Sequence, residues 1–399
     1  MVEPRMYPSI ATPLYPFARE GYLDPAPGLI SSRNASGISR VQLREGGEAW
    51  LVTSYRKVRE LLMSPLLGTQ YPAAAPSTDD ASIALGFMFL KDPPEHTRLR
   101  RAVSRTFTPA KVERIRSRAT EVAQTLIERM ISTGPPAELM ADFAYPLPIS
   151  IISELLGIPE TDRARFRSWA DIVLGAVTRD PTEIGLVYGD LEQFVVDLVD
   201  AKPDGDDLVS SLVMNEGGVD ALTRREIYSM SLGLLMAGYV TTSQAIAAGV
   251  VRLVRRSRLL ERIAQGEVAV PALVEELLRC QDEERGIQRI AQTDFDVDGI
   301  AIGKGDIIIL SRAGANRDSE IFTRPDDFMP DRANPGDHLT FGHGPHRCLG
   351  AQLARMELEV SIAAIAAKMP RLRLAVAESA IAWHCDGMDV ITQELPVTW

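Results

Sequence analysis

The sequence predicts a mainly α-helical protein with a smaller β region, and three of its features support that class. From residue 109 to about residue 202, apolar residues recur with helical periodicity between breaks that contain glycine and proline. A capping box formed by Thr223 and Glu226 then begins a long apolar run, and a second such run follows Gly350. The β region is expected in short alternating segments, approximately at 38–53, 294–312 and 370–399.

The N-terminal part supplies the first predicted strands. Residues 1–37 are rich in proline and glycine, and we expect them to lie extended on the surface. Segments 38–44 and 48–53 alternate on either side of two glycines, which is typical of a β-hairpin. Ser54 is then expected to cap a short helix.

Composition and charge limit the functional classes. A net charge of −11 argues against general nucleic-acid binding, which requires a basic face. Cys280, Cys348 and Cys385 are too scattered for a disulfide framework or a zinc site, so a reducing compartment such as the cytoplasm fits. We expect no signal peptide, because the N-terminus lacks a basic region followed by an apolar core. We also expect no membrane span, because no stretch has about 18 uninterrupted apolar residues.

Segment 341–350, Phe-Gly-His-Gly-Pro-His-Arg-Cys-Leu-Gly, is a glycine-rich loop that brings one cysteine to the start of an apolar helix. The positive end of that helix and the surrounding N–H groups would favour a thiolate at Cys348. Gly342, Gly344 and Gly350 would allow a flat, bulky group to lie against the loop. Taken alone, Cys348 has an alternative interpretation as a buried structural cysteine beside a turn.

A basic helix is predicted after Pro93-Pro94, and two of its residues share one face. His96 and Arg100 are four residues apart, a spacing that most often marks a solvated helix surface. The same helix carries three more arginines, Arg98, Arg101 and Arg105.

Two further motifs lie in the helices that follow. The middle of the long apolar run reads Ala237-Gly238-Tyr239-Val240-Thr241. Glycine beside a threonine that can bond to helix carbonyls predicts a local kink, and a small-residue helix crossing is the alternative. Further on, Glu276 and Arg279 have i,i+3 spacing, for which an ordinary surface ion pair is the alternative interpretation.

In combination, these motifs resemble those of the cytochrome P450 family. Phe341, Gly344, His346, Cys348 and Gly350 match the haem-binding loop of that family without a gap. The segments 96–100, 237–242, 276–279 and 289 match other family motifs in order and spacing. The resemblance implies a cytochrome P450 fold, a triangular prism of about a dozen helices around a buried haem. It also implies that residues 1–399 form a single catalytic domain of the soluble bacterial type.

The resemblance assigns roles to individual residues. Cys348 would be the axial ligand of the haem iron, in a loop that includes Phe341, Gly342 and Gly350. The haem propionates would be bound by His96, Arg100, Arg289 and His346. Dioxygen would be handled by Thr241 and the groove at Gly238, while Ala237 would lie over the haem. A structural triad would consist of Glu276, Arg279 and Arg332.

The sequence departs from the family pattern at two places that bear on the reaction. Val240 stands where an acid usually precedes the threonine, so the standard proton relay to dioxygen is in doubt. Glu283 and Glu284 stand where pocket-lining proline and aliphatic residues are usual, either as a solvated loop or facing an amine or N–H group of the substrate. Further candidate substrate contacts are Phe87, Met88 and Phe89 in a loop expected to act as a lid, and Tyr239.

Three functions are compatible with these residues. The first is oxidation of a natural-product intermediate, such as hydroxylation, by haem b and dioxygen. The electrons would come from NAD(P)H through ferredoxin and its reductase. The second is oxidative C–C or C–N coupling of an aromatic, indole or peptide-like substrate without oxygen insertion, which Val240 and the two glutamates favour modestly. The third, a catalytically silent haem protein that recruits partners, is disfavoured by Thr241 and the intact cysteine loop. We expect a monomer that docks ferredoxin near Arg98, Arg101, Arg105 and Arg347.

Overall fold

The computed structural model describes residues 12–44, 46–70, 86–173, 180–201, 205, 207–214, 221–281, 286–384 and 390–399. Helices dominate these residues, and a smaller set of strands accompanies them, as the sequence predicts. The helices are α1 (Pro27–Asn34), α2 (Tyr55–Leu61), α3 (Glu95–Ser104), α4 (Pro109–Thr133), α5 (Pro146–Leu156), α6 (Arg163–Val173), α7 (Pro181–Asp200), α8 (Leu208–Met214), α9 (Arg224–Val254), α10 (Leu259–Ala264), α11 (Val270–Arg279), α12 (Arg312–Ala315) and α13 (Ala351–Lys368).

The strands within the described ranges form four sheets. They are β1 (Leu14–Tyr15), β2 (Ile38–Leu43), β3 (Glu48–Val52), β4 (Leu67–Gly68), β5 (Ala137–Glu138), β6 (Ile287–Ala291), β7 (Phe295–Val297), β8 (Ile300–Ile302), β9 (Ile307–Leu310), β10 (Arg373–Leu374), β11 (Ala382–His384), β12 (Ile391–Glu394) and β13 (Pro396–Thr398). The largest sheet has the order β1-β2-β3-β9-β6-β4. A second sheet has the order β10-β13-β5, and β11 with β12 and β7 with β8 form two-stranded sheets.

The N-terminal predictions are partly confirmed. Strands β2 and β3 pair antiparallel as the predicted hairpin, with Ile38 opposite Val52. Ser54 occupies the N-cap of α2, but its side chain does not cap the helix; the Tyr55 N–H donates instead to the Asp318 carboxylate at 2.9 Å. The prediction that residues 1–37 are extended is wrong for α1, and residues 1–11 lie outside the described residues.

Helix α9 is the central element of the larger core. Its capping box is formed as predicted, since the Thr223 hydroxyl accepts the Glu226 N–H and the Glu226 carboxylate accepts the Thr223 N–H. Thirty-one residues give it a length of about 46 Å. Among the described helices, α9 is the one long and apolar enough to cross a membrane, but 67% of its most apolar window is buried inside the protein. It packs against α5, α7 and α13, so its apolar surface belongs to the core.

Candidate functional site

The loop that carries Cys348 is closed by the backbone before α13 begins. The Cys348 N–H donates to the Phe341 carbonyl at 2.7 Å. Gly344 has a φ of 74°, and a Cβ there would lie 2.8 Å from the Leu62 carbonyl oxygen, so this turn requires glycine. Because α13 begins at Ala351, Cys348 lies just before the helix rather than in its first turn.

A cavity of about 340 Å³ is lined by this loop and by α9. The Cys348 side chain is accessible from the cavity, although it lies deep in the protein. Burial raises the pKa of the Cys348 thiol, while the Gly350 N–H and the charges of Arg312 and Arg100 act to lower it. A metal ion bound to the sulfur would supply the remaining stabilisation of the thiolate.

Basic side chains from three parts of the chain gather at the edge of the cavity. The His96 and His346 rings stack with their centroids 4.0 Å apart. Burial and nearby positive charges lower the pKa of His346 to about 3. Burial is also the main cause that lowers the pKa values of His96, Arg100 and Arg289. The cluster therefore favours an anion beside it.

The cluster leaves hydrogen-bonding capacity that such an anion could use. The buried Nδ1 of His96 has no hydrogen-bond partner in the described part of the chain. Arg100 donates to the Arg347 carbonyl at 2.6 Å, which orients its guanidinium beside the cysteine loop. Arg289 does not line the cavity, but its charge reaches both histidines. Two carboxylates at this edge, such as the propionates of haem, fit both the charge and the free donors.

Replacing Arg100 or Arg289 with Leu is expected to weaken haem retention. Each substitution would remove a charge-assisted hydrogen bond worth about 1.5–3 kcal/mol, which corresponds to about 10- to 150-fold in affinity. Transfer of haem to an acceptor apoprotein measures the effect. Arg105→Leu, at an exposed position just after α3, is the control and should retain haem normally. Equal retention by all three variants would contradict the assignment of the anion cluster.

Arg98, the first arginine of α3, has another partner. The Arg98 guanidinium forms an ion pair with the Glu226 carboxylate and donates to the Ala221 carbonyl at 3.2 Å. Arg98 is therefore tied to the beginning of α9, and it is a poor contributor to a docking surface.

Helix α9 contributes the opposite wall of the cavity. Ala237, Gly238 and Thr241 line it, and the Thr241 hydroxyl donates to the Ala237 carbonyl at 2.9 Å. This is the expected bond to a helix carbonyl, and α9 continues through it as one unbroken helix. A Cβ at Gly238 would lie 3.1 Å from the Ile152 side chain, so this glycine also allows α5 to pack closely on α9.

The structure corrects the prediction that Tyr239 contacts the substrate. Its side chain is fully buried and its ring packs against Tyr145, with the centroids 5.5 Å apart. Val240 does not line the cavity either; it is half-buried and packs on the core. On a helix, successive residues point in different directions, so neighbours of a lining residue commonly face away from the cavity.

The loop before α3 reaches the cavity at its end. Phe87, Met88 and Phe89 all line it, and the buried Phe87 ring packs beside Gly233 of α9. Residues 71–85 of the predicted lid lie outside the described residues. Glu283 and Glu284 lie outside them as well, while the neighbouring Gln281 lines the cavity.

The three residues of the predicted structural triad meet in the core. Glu276 and Arg279 are fully buried, and Arg332 nearly so. The Glu276 carboxylate accepts from Arg279 at 2.7 and 2.9 Å and from Arg332 at 2.7 Å. The remaining donors of Arg279 bond to the Asn316, Pro325 and Asp327 carbonyls, which fixes the chain that leads towards the cysteine loop.

A second ionic group, which the sequence did not reveal, supports the cysteine loop directly. Arg355 of α13 donates to the Glu275 carboxylate at 2.5 and 2.9 Å, and its guanidinium lies 4.6 Å from the centre of the Phe341 ring. His338 lies 3.2 Å from Glu275. The group brings together α11, α13 and the loop, and only the fold makes these residues neighbours.

This group predicts a pH dependence of stability. Hydrogen bonds from His338 and Arg355 lower the pKa of Glu275 to about 2 against the opposing effect of burial. Because the folded-state pKa lies below the unfolded value, the stabilisation is present above about pH 5 and is lost as the pH falls towards 2. The difference in free energy of unfolding between wild type and Glu275→Gln should shrink by about 2 kcal/mol from about pH 6 to about pH 3. A difference that stays constant over that range would contradict the assignment.

Similarity to known proteins identifies the family of this chain. The sequence profile of the cytochrome P450 family matches residues 191–368. Nocardicin C N-oxygenase of Nocardia uniformis subsp. tsuyamanensis is 36% identical over 393 residues, which cover 96% of this chain and 98% of that protein. Mycinamicin IV hydroxylase/epoxidase of Micromonospora griseorubida is 37% identical over 373 residues, or 91% of this chain and 92% of that protein.

A solved structure has the same fold. It is a cytochrome P450 with biaryl coupling reactivity, which superposes with a TM-score of 0.86 at 32% identity and covers 98% of this chain and 100% of its own. With the cysteine loop, the anion cluster and the α9 groove arranged around one cavity, the chain belongs to the cytochrome P450 family.

Proposed function

We propose that this cytochrome P450 inserts oxygen into an intermediate of natural-product biosynthesis. The observation that carries the proposal is the cavity itself, which brings Cys348, the α9 groove at Thr241 and the anion cluster to one place. The family binds haem and uses dioxygen, with electrons from NAD(P)H supplied through redox partners. Relatives that oxidise nocardicin C and mycinamicin IV support the substrate class.

Each group of residues around the cavity would have a distinct role in the reaction. Cys348 would bind the haem iron, and a thiolate-bound haem supplies the oxidising chemistry. His96, Arg100, Arg289 and His346 would hold the propionates. Thr241 offers a hydroxyl at the groove, and the small side chain of Ala237 would leave room for the substrate beside the bound haem. Phe87 and Met88 present apolar surface to the substrate and exclude water from it.

We further propose a cytoplasmic monomer in which residues 1–399 act as a single catalytic domain. Support comes from the apolar helix α9, which is buried in a core shared by the helices and by strands β10 and β13. Ferredoxin would dock near Arg101, Arg105 and Arg347, which are exposed; α3 adjoins the cysteine loop through the bond from Arg100 to the Arg347 carbonyl. An acidic partner would be steered to these charges.

Oxidative coupling is the second candidate function. Val240 favours it, because a substrate N–H or O–H could supply the proton that the usual acid would help to deliver. The related structure with biaryl coupling reactivity shows that this chemistry occurs in the family.

A spectral binding screen followed by product analysis separates the two functions. Compounds of the macrolide, β-lactam, indole and cyclic-dipeptide classes would be scored by the shift of the haem absorption band. Each binder would then be incubated with ferredoxin, its reductase and NADPH. A mass gain of one oxygen supports insertion, loss of two hydrogens supports coupling, and the absence of turnover for every binder would contradict both.

A further inference from the structure

An arginine in the cavity wall has no role in the reaction described above. Arg312 is the first residue of α12, it is half-buried, and it lines the same cavity as Cys348. Strand β9 ends at Leu310, two residues earlier, so the largest sheet fixes where α12 begins. The position of Arg312 beside the cysteine loop is therefore a consequence of the fold.

The guanidinium of Arg312 is held against the segment that leads into the cysteine loop. Its Nη1 donates to the Thr340 carbonyl at 2.8 Å, one residue before the loop begins at Phe341. The Thr340 hydroxyl donates to the Leu278 carbonyl at 2.8 Å and accepts from the Asn316 amide at 2.9 Å. Because these bonds fix the segment as well, the positive charge of Arg312 has a defined position beside the loop.

The charge of Arg312 acts on the sulfur of Cys348. Burial raises the pKa of the Cys348 thiol, and of the charged side chains that oppose this rise Arg312 has the largest effect, ahead of Arg100 and Arg347. Arg347 is exposed, so solvent and salt screen its charge. Arg100 belongs to the anion cluster, where a propionate would offset its charge. Of these three arginines, Arg312 is therefore the best placed to act on the sulfur in the haem-loaded protein.

A fixed cation beside the ligand affects the reduction of the haem iron. In the proposed reaction, the iron–sulfur cluster of reduced ferredoxin gives one electron to ferric iron; the cluster is oxidised, the iron becomes ferrous, and no bond or proton is exchanged. In the ferric state, the charge of the iron balances those of the porphyrin ring and the thiolate, so reduction adds one excess negative charge. A nearby cation stabilises that added charge.

We propose that Arg312 is a positioning residue whose charge raises the reduction potential of the haem iron and weakens electron donation from the Cys348 thiolate. This inference rests on the proposed function, in which Cys348 binds the haem iron. Arg312 would ease the transfer of the first electron from ferredoxin. It would also lower the electron density that the thiolate supplies for cleavage of dioxygen.

A redox titration of the haem-loaded protein, followed by its absorption spectrum and carried out without substrate, tests this role. Arg312→Gln should lower the equilibrium constant for reduction by about tenfold, which corresponds to about 59 mV for a one-electron couple. Arg312→Lys keeps the charge and should stay within about twofold of the wild type. Arg347→Gln should change the constant by less than about threefold, because solvent screens that residue.

Infrared spectroscopy of the reduced, carbon-monoxide-bound protein reports on the thiolate itself. Arg312→Gln should lower the C–O stretching frequency, because a thiolate without the nearby cation donates more electron density through the iron. Arg312→Lys should keep the wild-type frequency. Arg312→Met is a second neutral variant, and the same two shifts are expected from it if Arg312→Gln does not retain haem.

Two results would overturn the proposal. One is an unchanged reduction potential and stretching frequency in the neutral variants. The other is an equal shift in Arg312→Lys and Arg312→Gln, because the shape of the side chain rather than its charge would then be responsible. Neither measurement involves turnover. If both quantities shift as expected but the wild type puts no oxygen into any product, the proposed function fails and the role of Arg312 stands.

Discussion

Replacing Cys348 with alanine is expected to abolish the long-wavelength absorption band that the reduced, carbon-monoxide-bound form of this family shows. That band requires thiolate ligation of the haem iron, and of the two cysteines in the described ranges Cys348 is the one that faces the cavity. The variant should still take up haem, because the anion cluster at His96 and Arg100 is unchanged. Product formation should be lost, since the thiolate provides the electron density that favours cleavage of dioxygen.

Cys280 provides the matched control. It is also a free cysteine, but it is buried beside Arg279, whose guanidinium lies 3.1 Å from its sulfur, and it does not line the cavity. Cys280→Ala should therefore keep the band. Persistence of the band in Cys348→Ala would refute the assignment of the ligand.

Replacing Glu276 with alanine is expected to have the largest effect on stability. It would leave Arg279 and Arg332 buried without their shared carboxylate. Removing one partner of a buried ion pair typically costs about 3–5 kcal/mol, because the remaining charge is uncompensated. The free energy of unfolding, measured with denaturant on the haem-loaded protein, should fall by that amount.

Glu121 offers a comparison with the same residue type and spacing. It pairs with Arg118 in an i,i+3 arrangement on α4, but 66% of its side chain is exposed. Glu121→Ala should cost at most about 1 kcal/mol, because solvent screens the pair. If the two variants lost similar stability, the triad would not hold the core together as we describe.

Short-range sequence patterns predicted much of the secondary structure and of the cysteine loop. The capping box and apolar run of α9 define a helix by short-range rules, and the structure forms both. The ten residues of the cysteine loop are contiguous, so their glycine turns and the position of Cys348 follow from the order of the chain. The i,i+3 spacing of Glu276 and Arg279 places them on one helix face, although only the fold buries them.

Features that depend on tertiary contacts were not predictable in the same way. Tyr239 adjoins lining residues but faces Tyr145, because the packing of α5 fixes the rotation of α9 about its axis. The sequence predicts that Arg98 contributes to a docking surface, but the fold brings α3 beside Glu226, and Arg98 forms an ion pair with that residue. Glu357 is one of several charged residues on α13, and its burial in the cavity wall becomes evident only when the fold is formed.

Incorporation of labelled oxygen tests the central claim most directly. A compound that binds in the spectral screen would be incubated with the protein, ferredoxin, reductase and NADPH under isotopically labelled dioxygen. Our account predicts that the product gains one labelled oxygen atom and that the gain disappears in Cys348→Ala. A product that has lost two hydrogens and carries no label would contradict oxygen insertion and identify the protein as a coupling enzyme.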